Sequence, residues 1–324
     1  MPSVRDPYDA HMSRSRTGLY ESHYLKGNSP CGNRAFWLKH TLLQPVRGPA
    51  VVEFWAVWFE RGQAPVVAKT EAVWDQVRLE AVGVGLSWSG GIDLANERAS
   101  GALADLAWTL HMRGGLAPLH HFRHPWMYRA AFPKKKLCTP RPNVRFDGRF
   151  QVADQTFELD DWRGVRGHNW GTEHAWRYAY GNCNRWADGA DRTVDGFSAR
   201  VRVAGRPTPW LSSVVGYAPQ LRKNRLTGLR MACTVTESAW ALGWRGGRLE
   251  MDGSEWVGLR YRHPDGKASY CYNTKFADVR LRVGQQTHTS RCGELEILLP
   301  EPRAEVPLHP HPDWVPADGI YRSE

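Results

Sequence analysis

Residues 162–174 read Trp-Arg-Gly-Val-Arg-Gly-His-Asn-Trp-Gly-Thr-Glu-His. The stretch gathers two imidazoles, a carboxylate, a carboxamide and two indoles, with three glycines to let the backbone bend. Such a set suits acid–base chemistry inside a cavity. Adding water across an unactivated alkene needs a positioned acid, a wall that tolerates cationic charge and a held water. A carboxylic acid in a dry cavity keeps its proton at neutral pH. Glu173 and Asp161 are the candidate acids, and His168 and Asn169 are candidates to orient the water. Trp170 and Trp176 can shield a developing cation with their ring faces. A structural reading competes, in which His168 and Asn169 satisfy backbone groups at a barrel turn and Trp170 plugs the core.

If this segment runs on as a strand, His168, Trp170, Thr172 and His174 share one face, and Asn169, Gly171 and Glu173 the other. At about 3.3 Å per residue, His168 and His174 then stand roughly 20 Å apart. They cannot share a metal unless the chain bends at Gly171, and the spacing is not HExxH. His120, His121 and His124 form a second possible metal cluster in a turn-like segment. Gly83-Val84-Gly85 lacks the spacing of a dinucleotide loop, and no Gly-x-Ser-x-Gly elbow is present. No metal or other cofactor is expected.

A second polar-aromatic cluster comprises Tyr20, Glu21, His23 and Tyr24. Glu21 is either a spare acid or a solvated residue at the start of an edge strand. Glu53 interrupts the apolar run Val51 to Phe59, so it is either paired with an arginine or pointed into a cavity. Asn273 is either a polar group on a cavity wall or part of a turn or ladder.

The elements that must hold these residues are strands. Ala277, Val279, Leu281 and Val283 alternate with charged residues, as do Phe197, Ala199, Val201 and Val203 with Ser198, Arg200 and Arg202. Val82 to Trp88 reads as another strand, and Ala99 to Leu110 reads as strand rather than helix. His263-Pro264-Asp265-Gly266 marks a hairpin, and Ala153-Asp154 a further turn. Lys134-Lys135-Lys136 reads as a solvated loop, and Thr139-Pro140-Arg141-Pro142 as a crossover. Many short strands and frequent turns imply an antiparallel all-β sandwich or barrel.

The 324 residues allow one large or two medium domains. Sixteen tryptophans suit a broad apolar cavity as well as a core. The formal net charge of +10 is spread along the chain without a nucleic-acid-binding motif, so no nucleic-acid partner is expected. Weak attraction to an anionic membrane surface is compatible with it. The six cysteines form no CxxC pair, and no signal peptide or membrane-spanning run is read, so free thiols and a cytoplasmic location are expected.

Several segments together resemble a known group. Tyr20-Glu21-Ser22-His23-Tyr24, Ala35-Phe36-Trp37-Leu38-Lys39, Trp162-Arg163-Gly164 with Gly167-His168-Asn169-Trp170-Gly171, His174-Ala175, Tyr178-Ala179-Tyr180-Gly181 and Tyr270-Cys271-Tyr272-Asn273 are similar to a bacterial subgroup of one superfamily. This is the lipocalin-like superfamily of carotenoid 1,2-hydratase (hydroxyneurosporene synthase), AttH and tocopherol cyclase. The resemblance implies two tandem lipocalin-like antiparallel β-barrels or pseudo-barrels, with strands exchanged between them in one version. It also implies a cavity for an apolar, often isoprenoid, ligand. The expected division is a polar arm over residues 1–18, barrels over 19–158 and 159–299, and a Pro-rich extended tail over 300–324.

The first functional expectation is a cofactor-independent lyase or isomerase, hydratase-like or cyclase-like. It acts by acid catalysis on an isoprenoid or polyketide-like substrate in a Trp-lined cavity. His174, Trp176, Tyr178, Glu21, His23, Tyr24, Glu53, Asn273 and Trp170 are its candidate substrate contacts. The alternatives are a carrier for a hydrophobic small molecule and a shape-based pericyclic catalyst. The fold alone does not choose among them, and the oligomeric state is open.

Overall fold

The structure, a computed structural model, describes residues 17–79, 86–88, 91–224, 231–310 and 320–322. Among them there is no α-helix, and only two single 3₁₀ turns interrupt the strands, at Trp74–Gln76 and Pro125–Tyr128. The strands of the first half are β1 (Leu19–Asn28), β2 (Arg34–Gln44), β3 (Val51–Glu60), β4 (Val66–Val73), β5 (Val77–Leu79), β6 (Leu86–Trp88), β7 (Asp93–Leu94), β8 (Arg98–Leu103), β9 (Leu106–Arg113), β10 (Leu119–His120), β11 (Lys135–Val152) and β12 (Gln155–Gly171). Those of the second half are β13 (Arg177–Cys183), β14 (Thr193–Arg200), β15 (Arg202–Val203), β16 (Arg206–Pro207), β17 (Leu211–Tyr217), β18 (Leu221–Asn224), β19 (Ala232–Val235), β20 (Ala239–Trp244), β21 (Gly247–Asp252), β22 (Val257–Arg262), β23 (Ala268–Val283), β24 (Gln286–Leu299), β25 (Leu308–His309) and β26 (Ile320–Arg322).

The first sheet runs β26-β4-β3-β2-β1-β12-β11-β9-β8-β7-β6-β5, with β10 also on β11. The second runs β18-β17-β14-β13-β24-β23-β21-β20-β19, with β22 and β25 branching from β23. One sheet closes nearly into a barrel and the other curves as a half-barrel, the architecture expected of two tandem barrels.

The hairpins expected at 263–266 and 153–154 join β22 to β23 and β11 to β12. Ala99 to Leu110 is the β8–β9 hairpin. Of the strand expected over 82–88, residues 86–88 are strand and the rest lies outside the described residues. Four expectations are corrected. The sheets divide after Gly171, so a boundary at 158/159 falls inside β12. The C-terminal tail returns to pairing: β25 lies parallel to β22, and β26 closes on β4 of the first sheet. Residues 139–142 do not cross between sheets; they stay within β11, which absorbs its prolines through register shifts against β12. The lysine run is not a solvated loop either. Lys135 and Lys136 begin β11, where Lys136 is buried with its ammonium on the Pro133 carbonyl.

Three apolar clusters form: one within each sheet and one between them. The strands β1, β2 and β3 are buried on both faces. Alternation therefore sends neighbouring residues to different places. Leu25, Phe36, Leu38, Phe54 and Trp58 fill the core of the first sheet. Tyr24, Trp37, Trp55, Val57 and Phe59 point instead at the second sheet. Where the sheets meet, the packing also contains charge. Lys275 and Glu294 are wholly buried with Nζ and Oε1 2.5 Å apart, and Asn28 Nδ2 donates to the Lys275 carbonyl.

Candidate functional site

Between the facing surfaces of the two sheets lies a cavity of about 370 Å³. The first sheet contributes Tyr24 of β1, Trp37 and Lys39 of β2, Lys135, Leu137 and Thr139 of β11, and His168 and Asn169 of β12. The second contributes Tyr178 and Tyr180 of β13, Phe197 and Ala199 of β14, Leu211 of β17, Tyr261 of β22 and Glu296 of β24. The size and the mixed apolar–polar lining suit a small hydrophobic molecule with a few oriented polar contacts.

A proton network opens onto this cavity. The hydroxyls of Tyr24 and Tyr180 lie 2.8 Å apart, and Tyr180 donates to Asp195 Oδ2 at 3.1 Å. Thr139 donates to the same oxygen at 2.5 Å. His121 Nε2 lies 3.1 Å from Asp195 Oδ1, and His121 Nδ1 lies 3.1 Å from Ser213 Oγ. Asp195 and His121 are fully buried behind the wall, so the cavity sees only the hydroxyls. Because Tyr180 spends its one proton on Asp195, Tyr24 must give its own to Tyr180 and turn lone pairs outward. Burial first, and then the charges of Asp195 and neighbouring glutamates, hold both phenols well above the ordinary tyrosine range.

This geometry has a local cause at Gly167. A side-chain carbon there would stand 2.0 Å from the Tyr24 ring. Only glycine on β12 lets that ring lie across the strand and reach Tyr180.

A second polar group sits on the same wall. Glu296 accepts from Tyr178 at 3.2 Å through Oε2 and from Asn273 Nδ2 at 2.7 Å through Oε1. Lys39 and Lys135 hold their ammonium groups 4.0 Å from the ring centres of Tyr261 and Tyr178. Burial, with the nearby Lys39 charge, brings Lys135 down to about 8. Cys271 lies 3.8 Å from the Tyr178 hydroxyl, and burial pushes its thiol up to about 12.

The residues singled out in the sequence divide among several places. Tyr24, Asn169, Glu173, His174 and Tyr178 line the cavity, and His168 borders it with its ring turned to Glu21 and His23. Glu173 lies at an exposed rim, 2.5 Å from Lys134 Nζ, not in the dry environment a protonated acid requires. Asp161 is outside the lining. Burial raises its carboxyl, but Arg145 at 2.6 Å and Arg113 at 3.1 Å together more than offset this and keep it below the usual range. The expected strand face through His174 ends early, because β12 stops at Gly171. The chain then turns, and His174 stacks on Tyr20 with ring centres 3.9 Å apart. Its Nδ1 has no hydrogen-bond partner, and burial followed by the Lys135 charge holds it well below the ordinary histidine range.

Trp170 packs on His168 and Tyr128 rather than lining the cavity. Trp176 lies under the Arg202 guanidinium, 4.8 Å away. Asn273 sits one layer behind the wall, linking Glu296 to Lys275. Glu53 takes the arginine alternative: Arg262 at 2.8 Å and Lys69 at 3.4 Å outweigh burial and bring it down to about 2.

Glu21 and His23 face the core of the first sheet, away from Tyr24. Glu21 Oε1 accepts from His168 Nε2 at 2.7 Å and His23 Nε2 at 3.1 Å, and the two imidazoles stack 4.1 Å apart. Burial alone would raise the Glu21 carboxyl, but these bonds hold it well below its usual range. The ligand atoms of the three lie within 4.8 Å of one another, and two imidazoles with one carboxylate are a donor set zinc accepts. His120, His121 and His124 do not converge. His121 turns in to Asp195, His120 meets the edge of Tyr128 and His124 stacks on Trp126.

Asp195 and Glu296 were not singled out in the sequence; His121 was read only as a candidate metal ligand, Tyr180 and Lys39 stood only in the resembling segments, and Lys135 only in the lysine run. The available signal was parity. Asp195 shares its strand face with Phe197, Ala199 and Val201, so a carboxylate was pointed inward along with that apolar row.

No protein-family model matches the chain. The uncharacterised protein Rv0493c of Mycobacterium tuberculosis is 26% identical over 285 residues, covering 84% of this chain and 83% of that protein. A putative AttH from Nitrosomonas europaea superposes with a TM-score of 0.59 at 11% identity, over 91% of this chain and 95% of that one. Kievitone hydratase from Nectria haematococca does so with a TM-score of 0.55 at 11% identity, over 87% and 89%. CghA with Sch210972 gives 0.60 at 9% identity, over 91% and 95%. The chain thus shares the fold of these three solved structures, in agreement with the lipocalin-like fold that its resemblance implied.

Proposed function

We propose that the protein is an acid–base lyase or isomerase acting on an apolar small molecule in the cavity between its two sheets. The observation that carries this reading is the Tyr24–Tyr180–Asp195 relay, which ends on the cavity wall and is anchored behind it by Thr139 and His121. A proton leaving a substrate carbon or a bound water binds the Tyr24 oxygen. Tyr24 passes its own proton to Tyr180, and Tyr180 passes its own to Asp195. The reverse sequence returns a proton at another carbon. Removal and return of a proton is the shared need of a double-bond shift and of adding or eliminating water. The Tyr–Tyr–Asp set takes the role first expected of Glu173 and Asp161. The fold shared with a kievitone hydratase supports the same class of reaction.

The test starts from native mass spectrometry of the purified protein, with organic extraction to identify any co-purified apolar molecule. That molecule and a panel of acyclic isoprenoids are then incubated with the protein in ¹⁸O-labelled water and in D₂O. Turnover appears as a gain of labelled water or as an isomer carrying deuterium. Tyr24→Phe and Tyr180→Phe should each lose about 100-fold or more in rate while still binding, and Glu173→Gln should retain the rate. Full rates in both Tyr→Phe variants would sink the relay. Tight binding with no turnover of any bound compound would favour the carrier.

A further inference from the structure

Lys39 and Lys135 are placed to meet a ligand rather than the protein. Neither ammonium has a hydrogen-bond or ion-pair partner among the described residues; each rests only over aromatic faces. The carboxylate on the facing wall, Glu296, lends its charge to both lysines but has both oxygens engaged, by Tyr178 and Asn273. At the rim, Glu173 is paired with Lys134. The cavity lining thus carries four basic side chains, Lys39, Lys134, Lys135 and Arg202, against two acidic ones, Glu173 and Glu296. A ring face attracts a cation but does not replace the hydrogen bonds an ammonium loses on leaving water. Two such ammoniums on one cavity wall leave an electrostatic demand that an anion entering the cavity would meet.

We propose that the ligand of this cavity is an apolar molecule carrying a carboxylate, and that Lys39 and Lys135 hold that carboxylate while the aliphatic and aromatic wall takes the rest. This rests on the cavity being the functional site and names its substrate class. Lys39 of β2 is the cross-strand partner of Tyr24 of β1. Such neighbours share a face with Cβ atoms about 5 Å apart. The carboxylate is therefore held beside the cavity end of the proton relay, and the carbon that gains or loses a proton lies within a few bonds of it. Charge developing on a carbon conjugated to the carboxylate would fall where the two ammoniums can stabilise it.

The test uses the whole protein and three matched probes: farnesoic acid, its methyl ester and farnesol, titrated by calorimetry at pH 7.0. The acid should bind roughly tenfold to a hundredfold more tightly than the ester or alcohol, the range expected of hydrogen bonds to charged groups. Lys39→Met and Lys135→Met should each cut that preference, and the double variant should abolish it, with ester affinity unchanged within about threefold. Retained ester binding also shows that the variants fold. Equal affinity for acid and ester in the unsubstituted protein overturns the carboxylate assignment while leaving the cavity reading intact. A preference for the acid that survives in the double variant overturns the assignment to these lysines. If none of the three probes binds, the cavity reading for isoprenoids fails and this inference with it.

Discussion

Mild acid should destabilise this protein, because of imidazoles sealed in the core of its first sheet. His23 and His40 are cross-strand partners, and His168 continues the row on the next strand. His40 Nδ1 accepts from the Trp88 indole at 3.0 Å, which fixes it as a neutral ring. Burial brings His40 down to about 3, and burial with the neighbouring His168 does the same for His23. In the unfolded chain both return to about 6.5. The native state thus stays neutral while the unfolded state takes up protons, so stability is intact above pH 6.5 and is lost as the pH falls towards 3. At pH 5.0 each imidazole costs about 2 kcal/mol, or about 4 kcal/mol for the pair. His174, also held low, contributes with the same sign. Against a typical total of about 5–15 kcal/mol, that is a large share. The assay is urea unfolding followed by tryptophan fluorescence at pH steps from 8.0 to 5.0. The midpoint should hold level down to pH 7 and then fall, with a slope approaching two protons per molecule. His40→Gln keeps an acceptor for the Trp88 indole and should remove about 2 kcal/mol of the acid-dependent loss. A change below about 1 kcal/mol between pH 7.5 and 5.0 in the unsubstituted protein would refute the argument.

Two further outcomes follow from the packing. Gly167→Ala forces the Tyr24 ring off its strand, so it should cost about 1–3 kcal/mol in thermal unfolding and reduce turnover as severely as Tyr24→Phe; a variant of full activity would remove Tyr24 from the relay. Lys275→Met leaves the wholly buried Glu294 without its ammonium partner and should cost about 3–5 kcal/mol, most of it recovered in Lys275→Met/Glu294→Gln, and the urea midpoints of the two variants measure that difference.

The fold was legible wherever one strand face meets water. Val279 and Leu281 alternate with Arg280 and Arg282, whose side chains are exposed, and a period of two appears. The same rule fails at the junction of the sheets. In β1 every residue from Tyr20 to Asn28 is buried, so polarity no longer marks the inward face. Tyr20, Glu21, His23 and Tyr24 look like one cluster in the sequence and are two in space. Glu21 and His23 bond within the core of the first sheet, while Tyr24 joins the cavity. His168 and Asn169 sit on opposite faces of β12 for the same reason, paired with His23 and Ser22.

Segments that carry both faces of the junction therefore show more polar and aromatic residues than either site alone needs, as Trp162 to His174 does. That density marks a place where two surfaces are built from one strand; it does not mark the catalytic group. The group that does the chemistry in the proposed reading is assembled from five elements: Tyr24, Thr139, Tyr180, Asp195 and His121 come from β1, β11, β13, β14 and the turn after β10. No window of sequence contains two of them within a few residues, so only the register of the sheets brings them together. The same consideration ranks the surviving candidates. A carboxylate that faces solvent, as Glu173 does, answers to its nearest cation. One that is sealed behind hydroxyls, as Asp195 is behind Tyr24, Tyr180 and Thr139, can exchange a proton with the cavity only through them, and Tyr24, at the cavity end of the phenol chain, is the residue to change first.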